Sequence, residues 1–405
     1  MKYLSSIFAI VLAAFISASG ASAQDLSKYK SIDYKVRDLA LIYQGGSNRI
    51  GWAKSEITPY VTHVFADGRE EWIFDGYLFL EFSTGGYNGH QFTPGYNDTN
   101  ATKADWEWYL KRIFQRNRAL DALDKAIAEK KALIGDPGFK HKICLTCPVP
   151  IQDQKDWGEL DGKQLDFSDP ADRLAAGKWF VDQLVENFNA AGYENLELFG
   201  MYMICESSWG IESYTRKLAP HIKSYGLDFL WIPYFTARGA ETWKAMKFDI
   251  AYLQPNHFFQ EDTPDSRLDE AIAKARKYNM ALELECDERA LSQNNPCFGY
   301  RLEAYMDYFE KHGVWYDTPV AYYTGNHMFL DMFRKPSEQN NAIMDRLCQY
   351  IVNRRMKAMQ ETSVDGITAE DCAPVYYNLQ GLQVDNPAGG IFIEKRGNTV
   401  RKVLK

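Results

Sequence analysis

Residues 169–206 read DPADRLAAGKWFVDQLVENFNAAGYENLELFGMYMICE and contain one complete helix–strand unit. Asp169 can cap a helix, and Pro170 suits its first turn because a backbone N–H has no partner there. Apolar residues then recur near the 3.6-residue period of a helix, which Gly192 closes. The apolar run at residues 196–205 follows and predicts a strand that is covered on both faces.

The same alternation continues along the chain. Strand-like apolar runs are separated by amphipathic stretches, and they lie at residues 39–44, 72–82, 142–151, 196–205, 227–235, 248–254, 279–286 and 319–325. Strands that alternate with helices predict parallel βα units, and eight of them predict a closed (β/α)8 TIM barrel. A doubly wound open sheet is the alternative fold, but no strand is followed by the Gly-rich phosphate loop that is typical of it.

The two ends of the chain depart from this alternation. Lys2, an apolar run at residues 7–16 and the small residues 21–23 follow the order of a secretory signal peptide. Because the run is shorter than the roughly 20 residues that span a bilayer, we expect cleavage before Gln24 and no membrane span. After Ala373, short β-type runs separated by Gly and Pro predict a few antiparallel strands. The predicted domains are a signal peptide at 1–23, a barrel at 24–373 and a C-terminal β tail at 374–405.

Charge and composition narrow the choice of partners. The chain has 46 Lys and Arg against 54 Asp and Glu, a formal net charge of −8 at pH 7, with no Lys/Arg cluster. Such an acidic balance argues against a nucleic-acid or anionic-membrane partner. Aromatic residues make up 14% of the chain, and exposed aromatic rings are typical of clefts that stack the apolar faces of sugars. We therefore expect an exported protein with a carbohydrate partner; the oligomeric state stays open.

Cysteine and histidine usage indicates neither a disulfide framework nor a metal site. Seven cysteines are an odd number, so at least one thiol is unpaired. Cys144 and Cys147 have CxxC spacing but lie in an apolar run, which favours buried structural thiols. Cys286 and Cys297 could form a loop disulfide, and the sequence does not decide it. No cofactor motif and no metal-ligand spacing is present, so we expect no cofactor and no metal.

Carboxylates lie at the ends of two predicted strands. In a barrel, alternate residues point inward and active sites gather at the C-terminal ends of the strands. Glu283 and Glu285 share one face of the seventh strand, and burying both under the helix layer would be costly without solvent. We therefore expect them inside the barrel, with Glu285 nearer the mouth. Glu206 ends the fourth strand on the same face as Tyr202, so it should reach the mouth from another wall.

A pair of carboxyl groups is the minimal equipment for glycoside hydrolysis, because one protonates the leaving oxygen while the other attacks or activates water. Polar and aromatic residues at other strand ends are candidates for binding the sugar. These substrate-binding candidates are Glu81, Tyr202, Tyr234, Gln254, Asn256, His257 and Tyr322. Glu81 is expected at the mouth because it shares a face of the second strand with Asp75, which we interpret as a buried hydrogen-bond hub.

The placement of Glu206 and Glu285 resembles the large clan of retaining glycosidases with (β/α)8 barrels. The resemblance implies that Glu206 is the acid/base and Glu285 the nucleophile. The clan usually has Asn directly before the acid/base, to help hold the sugar 2-hydroxyl, whereas this chain has Cys205.

Three runs, WIFDG at residues 72–76, QPN at 254–256 and ELE at 283–285, are similar to a family of secreted bacterial proteins, the domain of unknown function DUF4855. The tail resembles the short C-terminal β segments of exported proteins from Gram-negative, Bacteroides-like bacteria. These resemblances imply a periplasmic, cell-surface or extracellular location.

The main functional prediction is thus an exported glycoside hydrolase that retains anomeric configuration and needs no cofactor. A non-catalytic carbohydrate-binding barrel is the alternative, and Cys205 in place of Asn favours it. A deacetylase or other hydrolase is disfavoured, because neither a metal triad nor a Gly-x-Ser-x-Gly elbow is present. The sugar, the linkage, endo or exo action and the choice between Glu283 and Glu285 as nucleophile stay open.

Overall fold

The computed structural model describes residues 26–30, 32, 34–365, 374–378, 382–385, 387–396 and 399–404. The predicted strands form a closed parallel barrel, so the TIM-barrel prediction is confirmed. The barrel strands are β1 (Asp38–Tyr43), β2 (Gly76–Leu80), β3 (His141–Cys147), β4 (Leu196–Met203), β5 (Asp228–Trp231), β6 (Ile250–Leu253), β7 (Ala281–Cys286) and β8 (Val320–Thr324). Neighbours along the chain pair side by side, and β1 closes the barrel by pairing with both β2 and β8.

The strand register determines which side chains face the barrel interior. Glu285 of β7 pairs with Tyr323 of β8, and Glu283 pairs with Ala321. Paired residues of parallel strands point to the same side of the sheet, and successive residues alternate. Glu283, Glu285 and Tyr323 line the central cavity, so Tyr322 points to the helix layer.

Helices cover the outside of the barrel. They are α1 (Lys54–Ile57), α2 (Lys103–Ile113), α3 (Ala119–Ile134), α4 (Pro170–Ala191), α5 (Glu212–Ser224), α6 (Ser266–Tyr278), α7 (Gly299–Lys311), α8 (Val314–Asp317), α9 (Met328–Arg334) and α10 (Glu338–Asp365). Helix α4 begins as predicted, since the Asp169 side chain accepts a hydrogen bond from the Ala171 N–H at 2.8 Å. It ends at Gly192, whose φ of 64° lies in the left-handed region that favours glycine.

Helix α10 is attached to the barrel through the buried side chain of Arg354. Its Nε lies 2.9 Å from Asp38 Oδ1, and its terminal nitrogens donate to the carbonyl oxygens of Trp315 (2.7 Å) and Thr318 (2.8 Å). The Tyr322 hydroxyl also donates to Asp38 over 2.7 Å. A buried ion pair is tolerated only when further hydrogen bonds satisfy both partners, and this one has them.

The C-terminal tail contains a four-stranded antiparallel sheet, as predicted for a short β segment. Its strands are β9 (Val375–Tyr377), β10 (Gln383–Val384), β11 (Ile391–Arg396) and β12 (Thr399–Leu404), in the order β10-β9-β11-β12. The predicted signal peptide, its cleavage site before Gln24 and the predicted boundary at Ala373 lie outside the described residues. Of the helices that are described, none has the length and apolar character needed to cross a membrane.

The cysteines of the described ranges are all free thiols. Cys144 and Cys147 are buried in β3, as expected for structural thiols, and burial raises the pKa of each thiol. Cys286 and Cys297, whose pairing the sequence leaves open, instead donate to the carbonyl oxygens of Tyr323 and Ala290, each at 3.6 Å. Cys372 lies outside the described ranges.

Candidate active site

The C-terminal ends of the barrel strands enclose a cavity with two adjoining lobes. We call them the carboxylate lobe, of about 330 Å³, and the side lobe, of about 410 Å³. The carboxylate lobe is lined by Leu41, Tyr43, Leu80, Phe82, Tyr96, Tyr202, Glu206, Ile232, Gln254, Asn256, Phe259, Glu283, Glu285 and Tyr323. The side lobe shares four of these residues and adds Tyr234, Phe235, Thr236, Gln260 and Arg267. Volumes of this size are typical of small-ligand sites.

Glu206 enters the cavity from the loop that follows β4. It is half-buried, and its Oε1 accepts a hydrogen bond from Gln254 Nε2 at 2.8 Å. The Tyr96 hydroxyl donates to Oε2 over 3.3 Å. Burial raises the pKa of Glu206, and the two hydrogen bonds oppose that rise only in part. Glu206 therefore holds a proton more strongly than a carboxyl group in water does.

Glu285, near the end of β7, is buried and receives more hydrogen bonds. Its Oε2 accepts from the backbone N–H of Asn256 at 2.6 Å and from the Tyr305 hydroxyl at 2.7 Å. Its Oε1 has a long contact of 3.4 Å with Asn256 Nδ2, and the backbone N–H of His257 also donates to this carboxylate. Burial raises the pKa of Glu285 to about 7, with a smaller contribution from the charge of Glu206, and the donated hydrogen bonds act in the opposite direction. Oε1 is thus the less engaged oxygen.

Asn256 holds both carboxyl groups in place. Its φ is 52°, a left-handed conformation that Asn adopts more readily than most residues, and this directs its N–H at Glu285. Its Oδ1 accepts from the Phe235 N–H at 2.7 Å, so its Nδ2 must be the atom that donates to Gln254 Oε1 at 3.1 Å. Gln254 then presents its own NH₂ group to Glu206. Glu206 and Glu285 are connected through these two amide side chains.

Glu283 lies one layer deeper than Glu285 in the same lobe. It is buried, and no side chain in the described part of the chain donates a hydrogen bond to it. Burial raises the pKa of Glu283 well above its ordinary value, and the charges of Glu285 and Glu206 raise it further. Glu283 therefore holds its proton to higher pH than a carboxyl group in water does.

Aromatic side chains, which we call the aromatic wall, line the carboxylate lobe together with the carboxyl groups. The Tyr96 ring stacks on Phe82 with centroids 4.1 Å apart and an interplanar angle of 15°. Tyr43 packs against both Phe82 and Tyr323, at 5.9 Å and 6.0 Å. Sequence reasoning missed Tyr43, Tyr96 and Phe82 as cavity residues. Tyr96 lies in the long connection between β2 and α2, where no periodic pattern indicates direction.

The predicted site residues are brought together in part. Glu206, Glu285, Tyr202, Gln254 and Asn256 line the carboxylate lobe, and Tyr234 lines the side lobe.

His257 is adjacent to the cavity but does not line it. It is buried, its Nε2 lies 2.8 Å from Asp265 Oδ1, and its ring packs edge-on against Tyr305 at 5.5 Å. Burial lowers the pKa of His257. His257 therefore supports Tyr305, which in turn donates to Glu285.

Glu81 and Tyr322 do not reach the cavity, so their expected positions are corrected. Glu81 is buried against the loop after β1, where its Oε2 accepts from the Gly46 N–H at 2.9 Å and from Arg49 Nε at 3.0 Å. Leu80 and Phe82, of the opposite parity, line the lobe instead. On β8, Tyr323 takes the place expected for Tyr322, which bonds to Asp38. In both cases a distant partner satisfies the polar group on the helix-facing side.

Cys205, which stands where the glycosidase clan has Asn, is also turned away. Its Sγ donates to the carbonyl oxygen of Ser207 at 3.1 Å, and it does not line either lobe. Gln254 and Asn256 are the amide side chains that line the carboxylate lobe. Within the described ranges, no group of three or more His, Cys, Asp and Glu side chains is arranged to hold a metal ion.

Comparison with known proteins identifies the family. The family described as Domain of unknown function (DUF4855) matches residues 38–349, and the chain belongs to it. No curated protein sequence matches the chain.

Similarity to solved structures is limited. A family 18 chitinase from Crocus vernus gives a TM-score of 0.41 at 12% identity, covering 76% of this chain and 99% of that one. The catalytic domain of a family GH18 chitinase from the fern Peteris ryukyuensis gives 0.39 at 12% identity, covering 78% and 99%. Tryptophan synthase from M. tuberculosis gives 0.37 at 11% identity, covering 80% and 94%. Similarities this weak, to enzymes with different reactions, carry no information about the reaction of this chain.

Proposed function

We propose that the protein is a glycoside hydrolase that retains anomeric configuration, with Glu206 as general acid/base and Glu285 as nucleophile. The observation that carries the proposal is that Glu206 and Glu285 line one cavity with raised pKa values and no cation paired with either among the described residues. Carboxyl groups that share a site in this way cannot all be ionised, so one of them keeps a proton for use as an acid.

The hydrogen bonds support different roles for the two residues. Glu285 accepts two short hydrogen bonds on Oε2, which oppose the effect of burial on its pKa and leave Oε1 to attack the anomeric carbon when Glu285 is ionised. Burial raises the pKa of Glu206, and the hydrogen bonds that it accepts from Gln254 and Tyr96 oppose that rise only in part, so Glu206 can carry a proton and give it to the leaving oxygen. In the second step Glu206, now ionised, takes a proton from water. That water attacks the anomeric carbon as the bond to Glu285 breaks.

The raised pKa of Glu283 supports Glu285 rather than Glu283 as the nucleophile. Glu283 lies deeper, has no hydrogen-bond donor among the described residues, and its pKa is raised well above the ordinary value by burial. A protonated carboxyl group is a poor nucleophile. A protonated Glu283 also places no negative charge beside Glu285.

A carbohydrate-binding barrel without activity is the second candidate. The Cys205 thiol, which points to Ser207 and away from the cavity, favours it, because the clan's amide at that position is missing. Both candidates share the aromatic wall of Tyr96 and Phe82, on which a pyranose ring can stack.

A screen of the wild-type protein on aryl glycosides and polysaccharides tests the proposal, with Glu285→Gln prepared in parallel as the background control. We expect release of sugar by the wild type alone. Proton NMR then identifies the anomeric configuration of the first product. Inversion would refute the retaining mechanism but would still identify a glycoside hydrolase. Tight binding of a glycan that the wild type never cleaves would refute the proposed hydrolase activity.

We also infer that the protein is exported and begins at Gln24 after processing, on the basis of the signal-peptide order of residues 1–23. Intact-mass measurement of the protein recovered from the cell envelope or medium tests this. Retention of Lys2 would refute it.

A further inference from the structure

A second groove, of about 620 Å³, lies beside the active-site cavity on the same end of the barrel. The loops after β4 and β5 contribute to both: Glu206 and Thr236 line the cavity, while Trp209 and Arg238 line the groove. The Ser208 N–H donates to the Arg238 carbonyl oxygen at 2.9 Å, which fixes the two loops together. We call this the Trp209 groove. Its lining includes Asp153, Arg173, Trp209, Glu212, Lys217 and Arg238.

Trp209 offers a flat apolar surface to solvent. Its side chain is 74% exposed, and the Arg238 guanidinium lies 5.2 Å from the ring centroid. An exposed indole of this size has no role in the core, and its face suits stacking against the C–H face of a sugar ring. Trp209 follows Glu206 by only three residues, so a glycan whose glycosidic bond lies at Glu206 would pass close to Trp209.

Arg173 is a half-buried cation in the floor of this groove. Its Nε donates to the Pro150 carbonyl oxygen at 2.9 Å and its Nη2 to the Gly210 carbonyl oxygen at 3.1 Å. Its guanidinium also stacks on the Tyr214 ring at 5.5 Å. Within the described part of the chain it forms no ion pair with a carboxylate. Backbone carbonyl oxygens hold it in position, and the Asp153 carboxylate acts on its charge only from beyond ion-pair distance.

The groove as a whole carries excess positive charge. Lys217 is exposed and likewise has no carboxylate partner among the described residues. Arg238 Nε lies 3.6 Å from Glu212 Oε1, a long contact, and Asp153 is the other acid of the lining. Three cations therefore face two carboxylates, in a chain whose net charge is −8. The lining charge of the groove is thus positive although the net charge of the chain is negative, and positive charge attracts anionic ligands.

We propose that the Trp209 groove binds an acidic oligosaccharide, whose sugar ring stacks on Trp209 and whose carboxylate or sulfate groups pair with Arg173, Lys217 and Arg238. The groove holds the part of the chain that flanks the bond at Glu206, so the enzyme acts inside acidic polysaccharides. This inference rests on the proposed function, because it extends the substrate of the same site.

A glycan array tests the groove with Glu285→Gln as the parent protein, which cannot consume its ligand. The array carries uronic-acid, sulfated and neutral oligosaccharides of graded length. Trp209→Ala and the double change Lys217→Gln/Arg238→Gln are compared with the parent. Tyr225→Ala is the matched control, because this exposed aromatic residue follows α5 at the opposite end of the barrel.

We expect an acidic series to bind, with affinity that increases with length and decreases with added salt. Both groove variants should weaken binding of the longer members by about tenfold or more, and Tyr225→Ala should not change it. Whether the uronic-acid or the sulfated series binds identifies the anionic group. Binding of neutral series alone, or groove variants that match the parent on every acidic glycan, would overturn the proposal.

Failure of the groove and failure of the proposed function give different results. If the wild type cleaves short aryl glycosides, and the groove substitutions made in the wild-type background leave binding and cleavage of all longer glycans unchanged, the groove proposal is refuted and the hydrolase proposal is kept. If acidic glycans bind through Trp209 but the wild type cleaves no glycan or aryl glycoside, the hydrolase proposal is refuted and the groove proposal is kept.

Discussion

The side-chain NH₂ group of Gln254 donates a hydrogen bond to Glu206 Oε1 over 2.8 Å. The orientation of this amide is not free, because Gln254 Oε1 accepts from Asn256 Nδ2 at 3.1 Å and Asn256 Oδ1 accepts from the Phe235 N–H at 2.7 Å. A donor held in this way stabilises the ionised form of Glu206. It therefore limits how far burial can raise the pKa of Glu206.

Gln254→Leu should raise the pKa of Glu206, because it removes this donor without adding charge. The alkaline limb of the pH profile of kcat/KM, where Glu206 loses its proton, should move to higher pH. A hydrogen bond to a charged group contributes about 1.5–3 kcal/mol, so kcat should fall roughly 10- to 100-fold in the step where Glu206 is ionised. Gln183→Leu on α4 is the surface control. An unchanged alkaline limb would contradict the assignment.

Glu283→Gln should keep most of the activity, because glutamine resembles the neutral carboxyl group that we assign to Glu283. Initial rates on the best substrate measure this, with Glu285→Gln as the matched change two residues away. Loss of activity in Glu283→Gln with survival in Glu285→Gln would exchange the two assignments.

The same substitution should change how stability depends on pH. The pKa of Glu283 is raised in the folded state, whereas a Glu in the unfolded chain titrates near about 4.3. The contribution of Glu283 to the free energy of unfolding is therefore fully present below about pH 4.3. It is lost as pH rises towards the folded pKa, at about 1.4 kcal/mol per pH unit. Glutamine does not titrate, so the Tm of Glu283→Gln relative to the wild type should increase between pH 4.5 and 7.5. A constant difference across that range would show that Glu283 is not protonated in the folded state.

The barrel and the inward direction of two strands could be predicted from the sequence. On β7, Glu283 and Glu285 alternate with apolar residues, and only the cavity side could accept two carboxyl groups. The register with β8 and the cavity lining agree. Tyr202 on β4 and Glu206 in the loop after it also line the cavity, as their shared parity predicted.

The direction of β2 could not be predicted, since both of its faces are apolar and its polar residues lie at the ends. Asp75 and Glu81 face outward because Arg37 and Arg49 pair with them, at 2.9 Å and 3.0 Å. These arginines are more than thirty positions away, and no local pattern indicates such a pairing.

Arg354→Leu should destabilise the protein, because it leaves the Asp38 carboxylate buried without its cation. Breaking one partner of a buried ion pair costs about 3–5 kcal/mol, and thermal or urea unfolding measures the loss. The double change Arg354→Leu/Asp38→Asn should recover part of it, because no unpaired charge remains. A loss below about 1 kcal/mol for Arg354→Leu would mean that α10 does not depend on this pair.

Substitution of the two proposed catalytic carboxyl groups should have different effects on different substrates. Glu285→Gln keeps the shape of the cavity but cannot form the glycosyl-enzyme bond, so turnover should be lost on every substrate while sugar binding persists. Glu206→Gln removes the proton donor, and general acid catalysis contributes about 10²- to 10⁴-fold. That loss should appear on natural glycosides and be small for the first step on aryl glycosides, whose leaving groups need little protonation. Isothermal titration for binding and initial rates on both substrate types measure the pattern. Equal losses of kcat/KM, which reports the first step, on aryl and natural substrates in Glu206→Gln would contradict its role as the acid, whereas changes in affinity alone in both variants would identify a binding protein.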